Sequence, residues 1–343
     1  MPLCRRNYAR RSFVSLKQQK HSIRTDLAIE AHQMLVGEVD REIPGVQVET
    51  EEKERLRISR VHISSPEAEQ RMGKQQGKYI TLEAPGLRQK NTELQDMVSR
   101  QFTKELLSMV ELADNSSVLI VGLGNWNVTP DALGPRVVKD LLVTRHILAL
   151  EPETLGEGFR AVSAISPGVL GITGVETGEI IQGLVEKVRP DLLIAVDALA
   201  ARSLTRLHTT IQIADTGITP GSGVGNKRLK ISHETIGIPV IAVGVPTVVD
   251  AVTIADDLTS HLLEAIMREA GPESPVYKVI QSIAEGDRRA VMSEVLEPYG
   301  GRLMVTPKEI DTLVEDTAKL LAGGLNAALH PAIQSADSGK YLH

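Results

Sequence analysis

Two aspartates follow apolar runs that are typical of buried strands. Asp131 lies in the loop Gly122-Leu-Gly-Asn-Trp-Asn-Val-Thr-Pro-Asp-Ala-Leu-Gly, and Asp197 directly follows Leu192-Leu-Ile-Ala-Val. Runs this apolar predict central strands of a parallel sheet, and such sheets bind ligands in the crevice beyond the carboxyl ends of their strands. Two carboxylates in one crevice can share a proton and activate water, because ionising two close like charges is costly. An acid–base pair formed by Asp131 and Asp197 is therefore the strongest chemical hypothesis.

Each of these aspartates also has a purely structural interpretation. Asp131 lies shortly before a predicted helix, where an aspartate commonly accepts a backbone N–H as a cap. Asp197 is harder to explain in this way, because a carboxylate after five apolar residues is costly unless it is paired or functional. Asp250 follows a further apolar run, and a helix cap is the preferred interpretation for it. Two nearby arginines either pair with carboxylates in the site or face solvent: Arg202 and Arg206.

Other kinds of site have weaker signals. Gly122-x-Gly124 after a strand suggests a dinucleotide-binding turn, but Asn127 occupies the position of the third glycine in that fingerprint. The alternative is that both glycines only let the strand turn tightly into its helix. No metal-site spacing or nucleophile elbow surrounds the histidines and serines considered as candidates. These are His62, His146, His208, His233, Ser163, Ser166 and Ser203.

The composition is that of a soluble globular protein. The 343 residues are 42% hydrophobic, 24% charged and only 3% aromatic, and the length allows one large domain or two. So few aromatic residues argue against stacking on single-stranded nucleic acid. The first 26 residues hold seven Lys or Arg and one acid, so the remainder has a net charge of −12. A body this acidic disfavours DNA binding and favours a basic protein as a partner.

Several features bear on the compartment. Cys4 is the only cysteine, so no intrachain disulfide can form, which suits a reducing cytoplasm. No apolar run reaches the roughly 18–20 residues that span a bilayer, and the basic N-terminus lacks the apolar stretch of a secretory signal. Its composition is similar to that of a mitochondrial transit peptide, but a removable or disordered extension is the preferred interpretation.

The hydrophobic periodicity predicts an α/β chain whose doubly wound part begins near residue 117. Residues 219–228 are rich in turn formers and are predicted to be a loop. Thr306, Pro307 and Glu309 predict the start of the last helix, with Thr306 as its N-cap. Helices are predicted at 26–36, 94–112, 134–144, 177–188, 249–269 and 307–321, and strands at 46–50, 56–63, 79–83, 117–121, 191–197, 207–213 and 239–245.

Four long motifs resemble the germination proteases of spore-forming Firmicutes. They are Ser22-Ile-Arg-Thr-Asp-Leu-Ala-Ile-Glu-Ala-His, the Gly122 loop, Ala195-Val-Asp-Ala-Leu-Ala-Ala-Arg and Leu303-Met-Val-Thr-Pro-Lys-Glu-Ile-Asp. The resemblance covers the chain from Ser22 to the C-terminal helix. It implies a three-layer α/β/α sandwich with a largely parallel central sheet, similar to hydrogenase maturation endopeptidases, plus a smaller strand-containing N-terminal elaboration.

The same resemblance implies an activity. Germination proteases are unusual aspartic endopeptidases that cleave small acid-soluble spore proteins, so the expected location is the cytoplasm of the forespore and spore core. The family also suggests a homotetramer. We expect no cofactor and no metal, and the composition and the apolar runs predict no nucleic-acid or membrane partner. Two other readings stay open: a metal-assisted peptidase of the hydrogenase-maturation type, and a nucleotide-binding α/β module.

Residue roles follow from the motifs. The catalytic aspartates of the family fall on Asp131 and Asp197. Members are zymogens that remove an N-terminal propeptide by self-cleavage at an acidic residue followed by a large apolar residue and alanine. Thr25-Asp26-Leu27-Ala28 matches, which predicts a cut between Asp26 and Leu27. The basic segment 1–26 is then a propeptide, longer and more basic than is usual. The rest, 27–343, is one protease domain with extra strands in 27–93, the sheet core in 94–270 and C-terminal helices in 271–343.

Overall fold

A nine-stranded mixed β-sheet organises the computed structural model, which describes residues 25–39, 43–220, 229–282, 291–292, 294–295 and 303–333. The strand order is β1-β2-β3-β7-β8-β6-β4-β5, and β9 pairs with the far end of β8. The strands are β1 Val46–Lys53, β2 Leu56–Ile63, β3 Gly77–Glu83, β4 Ser117–Gly122, β5 Ala161–Ile165, β6 Leu192–Ala201, β7 Thr210–Ala214, β8 Val240–Asp250 and β9 Met304–Val305.

The sheet has a parallel half and an antiparallel half. Strands β5, β4, β6 and β8 are parallel neighbours, whereas β1, β2, β3, β7 and β9 make antiparallel pairs. The expectation of a largely parallel sheet therefore holds for only one half and is corrected for the other. β1 and β2 pair antiparallel through a short turn, and such turns need no crossover helix. Similarity to hydrogenase maturation endopeptidases stays a prediction.

Helices cover both faces of this sheet. They are α1 Ala28–Val39, α2 Pro66–Met72, α3 Thr92–Met109, α4 Leu133–Lys139, α5 Arg145–Leu150, α6 Leu170–Thr173, α7 Thr177–Val188, α8 His233–Ile236, α9 Ala251–Ala270, α10 Pro275–Gln281 and α11 Ile310–Leu329. α3, α4 and α11 pack on one face, which includes Ile194 and Val196 of β6. α7 and α8 pack on the opposite face, against Leu193 and Ala195 of the same strand, and α1 and α2 lie further along that face. Because β6 is buried on both sides, its sequence is apolar apart from Asp197 and does not alternate with polar residues.

Most predicted elements are present, but several ends differ. α7 has the predicted bounds, whereas β6 and β8 run four and five residues beyond the predicted ends, because each continues as the pairing partner of the other. The short strand β5 was not predicted. The predicted cap of the last helix is wrong: α11 begins at Ile310 after Glu309, and the hydroxyl of Thr306 instead donates to the carbonyl oxygen of Thr247. Across the described residues, no helix combines the length and apolar character that a membrane span requires.

Candidate active site

Asp197 lies inside β6. The sequence had suggested a position at the end of that strand. The Asp197 side chain is buried, with 6% of the residue exposed, and Oδ1 accepts the backbone N–H of Ala198 at 2.9 Å. Across the sheet, Asp197 pairs with Gly244 of β8, which in turn pairs with Gln212 of β7. Directly opposed residues of neighbouring strands place their side chains on the same face. Asp197 and Gln212 therefore share a face, and the residue between them has no side chain.

Asp131 ends the 3₁₀ turn Thr129–Asp131, in the loop that follows β4. Its Oδ2 accepts the backbone N–H of Asn125 at 2.8 Å, and its main-chain oxygen accepts the same N–H at 3.1 Å. The cap interpretation is wrong, because α4 begins at Leu133 with Ala132 as its N-cap residue. The carboxylate is instead held by the loop that carries it.

The glycines of this loop are needed for close backbone packing. A Cβ on Gly122 would lie 2.2 Å from the carbonyl oxygen of Gly134, and a Cβ on Gly124 would lie 1.9 Å from the carbonyl oxygen of Asp131. Gly124 also has φ +116°, a conformation that side chains disfavour. Packing thus accounts for the glycine pair that had suggested a dinucleotide-binding turn.

The loop brings Asp131 to the part of the sheet that contains Asp197. The backbone N–H of Leu123 donates to the carbonyl oxygen of Val196 at 2.8 Å, and a Cβ on Gly134 would lie 2.6 Å from that same oxygen. The turn Thr129–Asp131 lies against both β6 and β8. The loop that carries Asp131 therefore lies against β6 at Val196, the residue before Asp197.

The predicted cleavage segment lies further along β6. The backbone N–H of Asp26 donates to the carbonyl oxygen of Ala200 at 3.0 Å, and the N–H of Ala200 donates to Oδ2 of Asp26 at 2.8 Å. Leu27 is completely buried in a core that also contains Leu199. Asp26 therefore fixes the predicted scissile bond beside Ala200, which lies three residues after Asp197 in β6. Residues 1–24 of the predicted propeptide lie outside the described residues.

Gln212, which the sequence analysis did not single out, holds the same segment. Its Nε2 donates to the carbonyl oxygen of Asp26 at 3.1 Å, and its Oε1 accepts the backbone N–H of Ala28 at 2.8 Å. A glutamine within the apolar strand Thr210-Ile-Gln-Ile-Ala was the only signal in the sequence.

Charged groups surround the start of α1. Glu30 is buried and accepts the backbone N–H groups of Arg202 and Ser203 at 2.8 and 3.1 Å. Arg206, which was expected either to pair with a carboxylate or to face solvent, pairs with both Glu30 at 3.1 Å and Glu83 at 2.8 Å. These contacts fix the N-terminal segment to the turn that follows β6.

The other candidates have structural positions. Asp250 caps α9 by accepting the N–H of Val252 at 2.8 Å, which confirms the cap interpretation. Within the described ranges, no group of three or more His, Cys, Asp or Glu residues is arranged to hold a metal. Of the predicted loop 219–228, residues 221–228 lie outside the described part of the chain.

Comparison with known proteins decides the family. A sequence model described as germination protease matches residues 26–280 and 272–342. The chain belongs to the germination protease family. The germination protease of Caldanaerobacter subterraneus subsp. tengcongensis is 50% identical over 321 residues, covering 94% of this chain and 98% of the relative. The germination protease of Bacillus mycoides is 50% identical over 364 residues, covering 96% of this chain and 99% of the relative. Membership in the germination protease family supports a peptidase of spore germination.

Proposed function

We propose that this chain is an endopeptidase zymogen that starts the degradation of small acid-soluble spore proteins, with water activated by Asp131 and Asp197. The observation that carries the proposal is the course of the N-terminal segment. It brings a sequence with the family's cleavage pattern, Asp26-Leu27-Ala28, onto the strand that contains Asp197. The proposal therefore accounts for the aspartates and for the segment together.

The proposed reaction is general acid–base hydrolysis. One aspartate is ionised and removes a proton from water, whose oxygen adds to the carbonyl carbon of Asp26. The other is protonated and polarises the carbonyl oxygen. The bond to the nitrogen of Leu27 then breaks, and a proton passes to the new amine. The two carboxyl groups would titrate as a coupled pair, so the acid and the base are properties of the pair.

The proposal includes processing, assembly and location. Residues 1–26 would be the propeptide and residues 27–343 a single protease domain, active as a homotetramer in the spore core. Spore proteins would be cut at the same pattern of an acidic residue, a large apolar residue and alanine. A basic substrate suits the acidic body of this chain, because opposite charges raise the rate of encounter.

The first test replaces each proposed catalytic aspartate by its isosteric amide. Asp131→Asn and Asp197→Asn are expected to abolish the appearance of a new N-terminus at Leu27 after mild acidification, because an amide neither accepts nor delivers the catalytic proton. Mass spectrometry of the intact chain measures the product, and cleavage of a purified spore protein measures activity in trans. All incubations contain a chelator, since the proposal requires no metal.

Asp250→Asn is the matched control, because it makes the same change at an aspartate that caps α9. Asparagine is also a good capping residue, so this variant is expected to cleave itself as the wild type does. Near-normal cleavage by either catalytic-site variant would remove that aspartate from the mechanism. A wild-type chain that stays intact and leaves spore proteins uncut would refute the proposal as a whole.

A further inference from the structure

One side-chain amide contacts both sides of the predicted scissile bond. The Nε2 of Gln212 donates to the carbonyl oxygen of Asp26, and its Oε1 accepts the N–H of Ala28, at 3.1 and 2.8 Å. Gln212 is 7% exposed. A buried amide bound on both edges is held in one orientation, so its N–H has a defined direction.

Gln212 lies on the same face of the sheet as Asp197, one of the two aspartates proposed to activate water. Gln212, Gly244 and Asp197 lie side by side on β7, β8 and β6. Neighbouring strands are about 4.8 Å apart, so roughly 10 Å separate the backbones of the outer two residues. The side chain of Leu199 covers the middle of the row, since a Cβ on Gly244 would lie 2.4 Å from it. Leu27 packs on this same face in one core with Leu199.

We infer that Gln212 is a catalytic residue for peptide cleavage, whose Nε2–H binds the scissile carbonyl oxygen and stabilises the negative charge that forms there. The inference rests on the proposed function. When water adds to the carbonyl carbon of Asp26, its oxygen becomes an oxyanion, and a donor already aimed at it needs no reorganisation. The Oε1 bond to Ala28 fixes the chain on the leaving-group side.

Both bonds go to main-chain atoms, so they do not depend on the side chains of the segment. A spore-protein substrate in the same extended course would offer the same carbonyl oxygen and the same N–H two residues later. The inference therefore extends to substrates cleaved in trans, once the propeptide has left and Leu27 and Ala28 have moved away from Gln212. Recognition of the acidic residue must come from other groups, because Gln212 contacts no side chain of the segment in these bonds.

The decisive variant is Gln212→Met in the full-length chain, since methionine is similar in length and has no N–H donor. Loss of one oxyanion donor typically slows a reaction by about 10²–10³-fold, and we expect that decrease in the first-order rate at which the N-terminus at Leu27 appears. On a peptide cleaved in trans by the processed enzyme, kcat is expected to fall by a similar factor while KM changes little.

Gln182→Met is the matched control. Gln182 also donates through Nε2 to a backbone carbonyl, that of Thr235, at 3.0 Å, but this bond joins α7 to α8, away from the segment. The control is expected to cleave itself at the wild-type rate. Thermal unfolding of both variants shows whether the fold is retained at the assay temperature.

A second variant covers the case in which Gln212→Met does not fold. Gln212→Glu keeps the shape and the acceptor, and it regains a donor when the carboxyl group is protonated. Its cleavage rate relative to wild type at the same pH is expected to rise as the pH falls, under conditions where both chains are folded. A ratio that stays constant with pH contradicts the inference.

Failure of the Gln212 role and failure of the proposed function give different results. If the wild-type chain is cut at Asp26–Leu27 and folded Gln212→Met is cut within threefold of that rate, the role of Gln212 is overturned and the proposed function stands. If the wild-type chain is never cut there, the proposed function fails, and the inference fails with it.

Discussion

At the scale of single residues, Lys74 contacts the predicted cleavage segment. It lies just after α2, and its Nζ donates to the carbonyl oxygen of Thr25 at 2.8 Å. Burial lowers the pKa of the Lys74 ammonium group, and the negative charges of Asp26 and Glu30 oppose that decrease. The lysine therefore lies beside Asp26, the acidic residue of the predicted cleavage pattern.

Lys74→Met is expected to slow self-cleavage by about tenfold. A hydrogen bond to a charged group contributes about 1.5–3 kcal/mol. The lower value applies because part of the Lys74 side chain is exposed to solvent. The rate at which the Leu27 N-terminus appears measures the effect. Lys104→Met, on the exposed side of α3, is the control for loss of one positive charge. Equal rates for Lys74→Met and Lys104→Met would show that the contact does not position the segment.

At the scale of elements, the loop between β4 and α4 is positioned by backbone contact. Gly122 and Gly134 touch each other, and Gly134 touches the carbonyl oxygen of Val196 in β6. A loop seated in this way can place Asp131 reproducibly, because the approach of the backbones leaves little room for a second arrangement. The side chain of Asp131 is then set by its own loop through the N–H of Asn125.

Gly122→Ala is expected to reduce self-cleavage strongly, because the new methyl group would displace Gly134 and with it the loop that carries Asp131. Overpacking of this kind typically lowers the free energy of unfolding by about 1–3 kcal/mol. Urea unfolding and the rate of cleavage are measured together. Gly183→Ala is the control: apart from its own helix backbone, nothing lies within 4 Å of the added Cβ, and alanine stabilises a helix interior by about 0.5–1 kcal/mol. Wild-type cleavage by Gly122→Ala would mean that the loop tolerates displacement.

At the scale of the whole molecule, a buried histidine couples stability to pH. His208 is 2% exposed and has φ 55°, and no described residue is hydrogen-bonded to either ring nitrogen. Burial lowers its pKa to about 4, and the charge of Arg88 acts in the same direction. The unfolded chain has the ordinary histidine pKa near 6.5. It therefore binds more protons than the folded chain between about pH 4 and 6.5, and stability falls as the pH falls through that window.

His208→Asn is expected to remove this part of the acid sensitivity. Asparagine tolerates a positive φ, and its amide does not titrate. The pKa difference corresponds to about 3 kcal/mol. Between pH 7 and pH 4 the free energy of unfolding should therefore fall less for the variant than for the wild type, and the difference between the two decreases should not exceed that value. Urea titrations at several pH values measure this loss. His62→Asn, at an exposed position of β2, is expected to keep the wild-type pH dependence. Parallel pH profiles for His208→Asn and wild type would contradict the prediction.

Much of the fold follows from local patterns. The continuous apolar runs of β6 and β8, the period of α7 and the alternation in β2 predicted those elements, because each records how one stretch of chain is buried. The ends of β6 and β8 were not predictable, since each strand continues as long as the other pairs with it. The start of α11 was missed for a similar reason: Thr306 bonds Thr247, a residue far away in the chain.

The sequence by itself determined the family resemblance, and it supplied the proposed catalytic pair Asp131 and Asp197 and the proposed cleavage bond Asp26–Leu27. Only the tertiary structure decided that the sheet is half antiparallel, that Asp197 lies within its strand and that Gln212 holds the Asp26 carbonyl. The physical reason is the separation along the chain. Burial leaves a periodic trace in a short stretch, whereas strand register and a hydrogen bond between residues 186 positions apart depend on the whole packed chain.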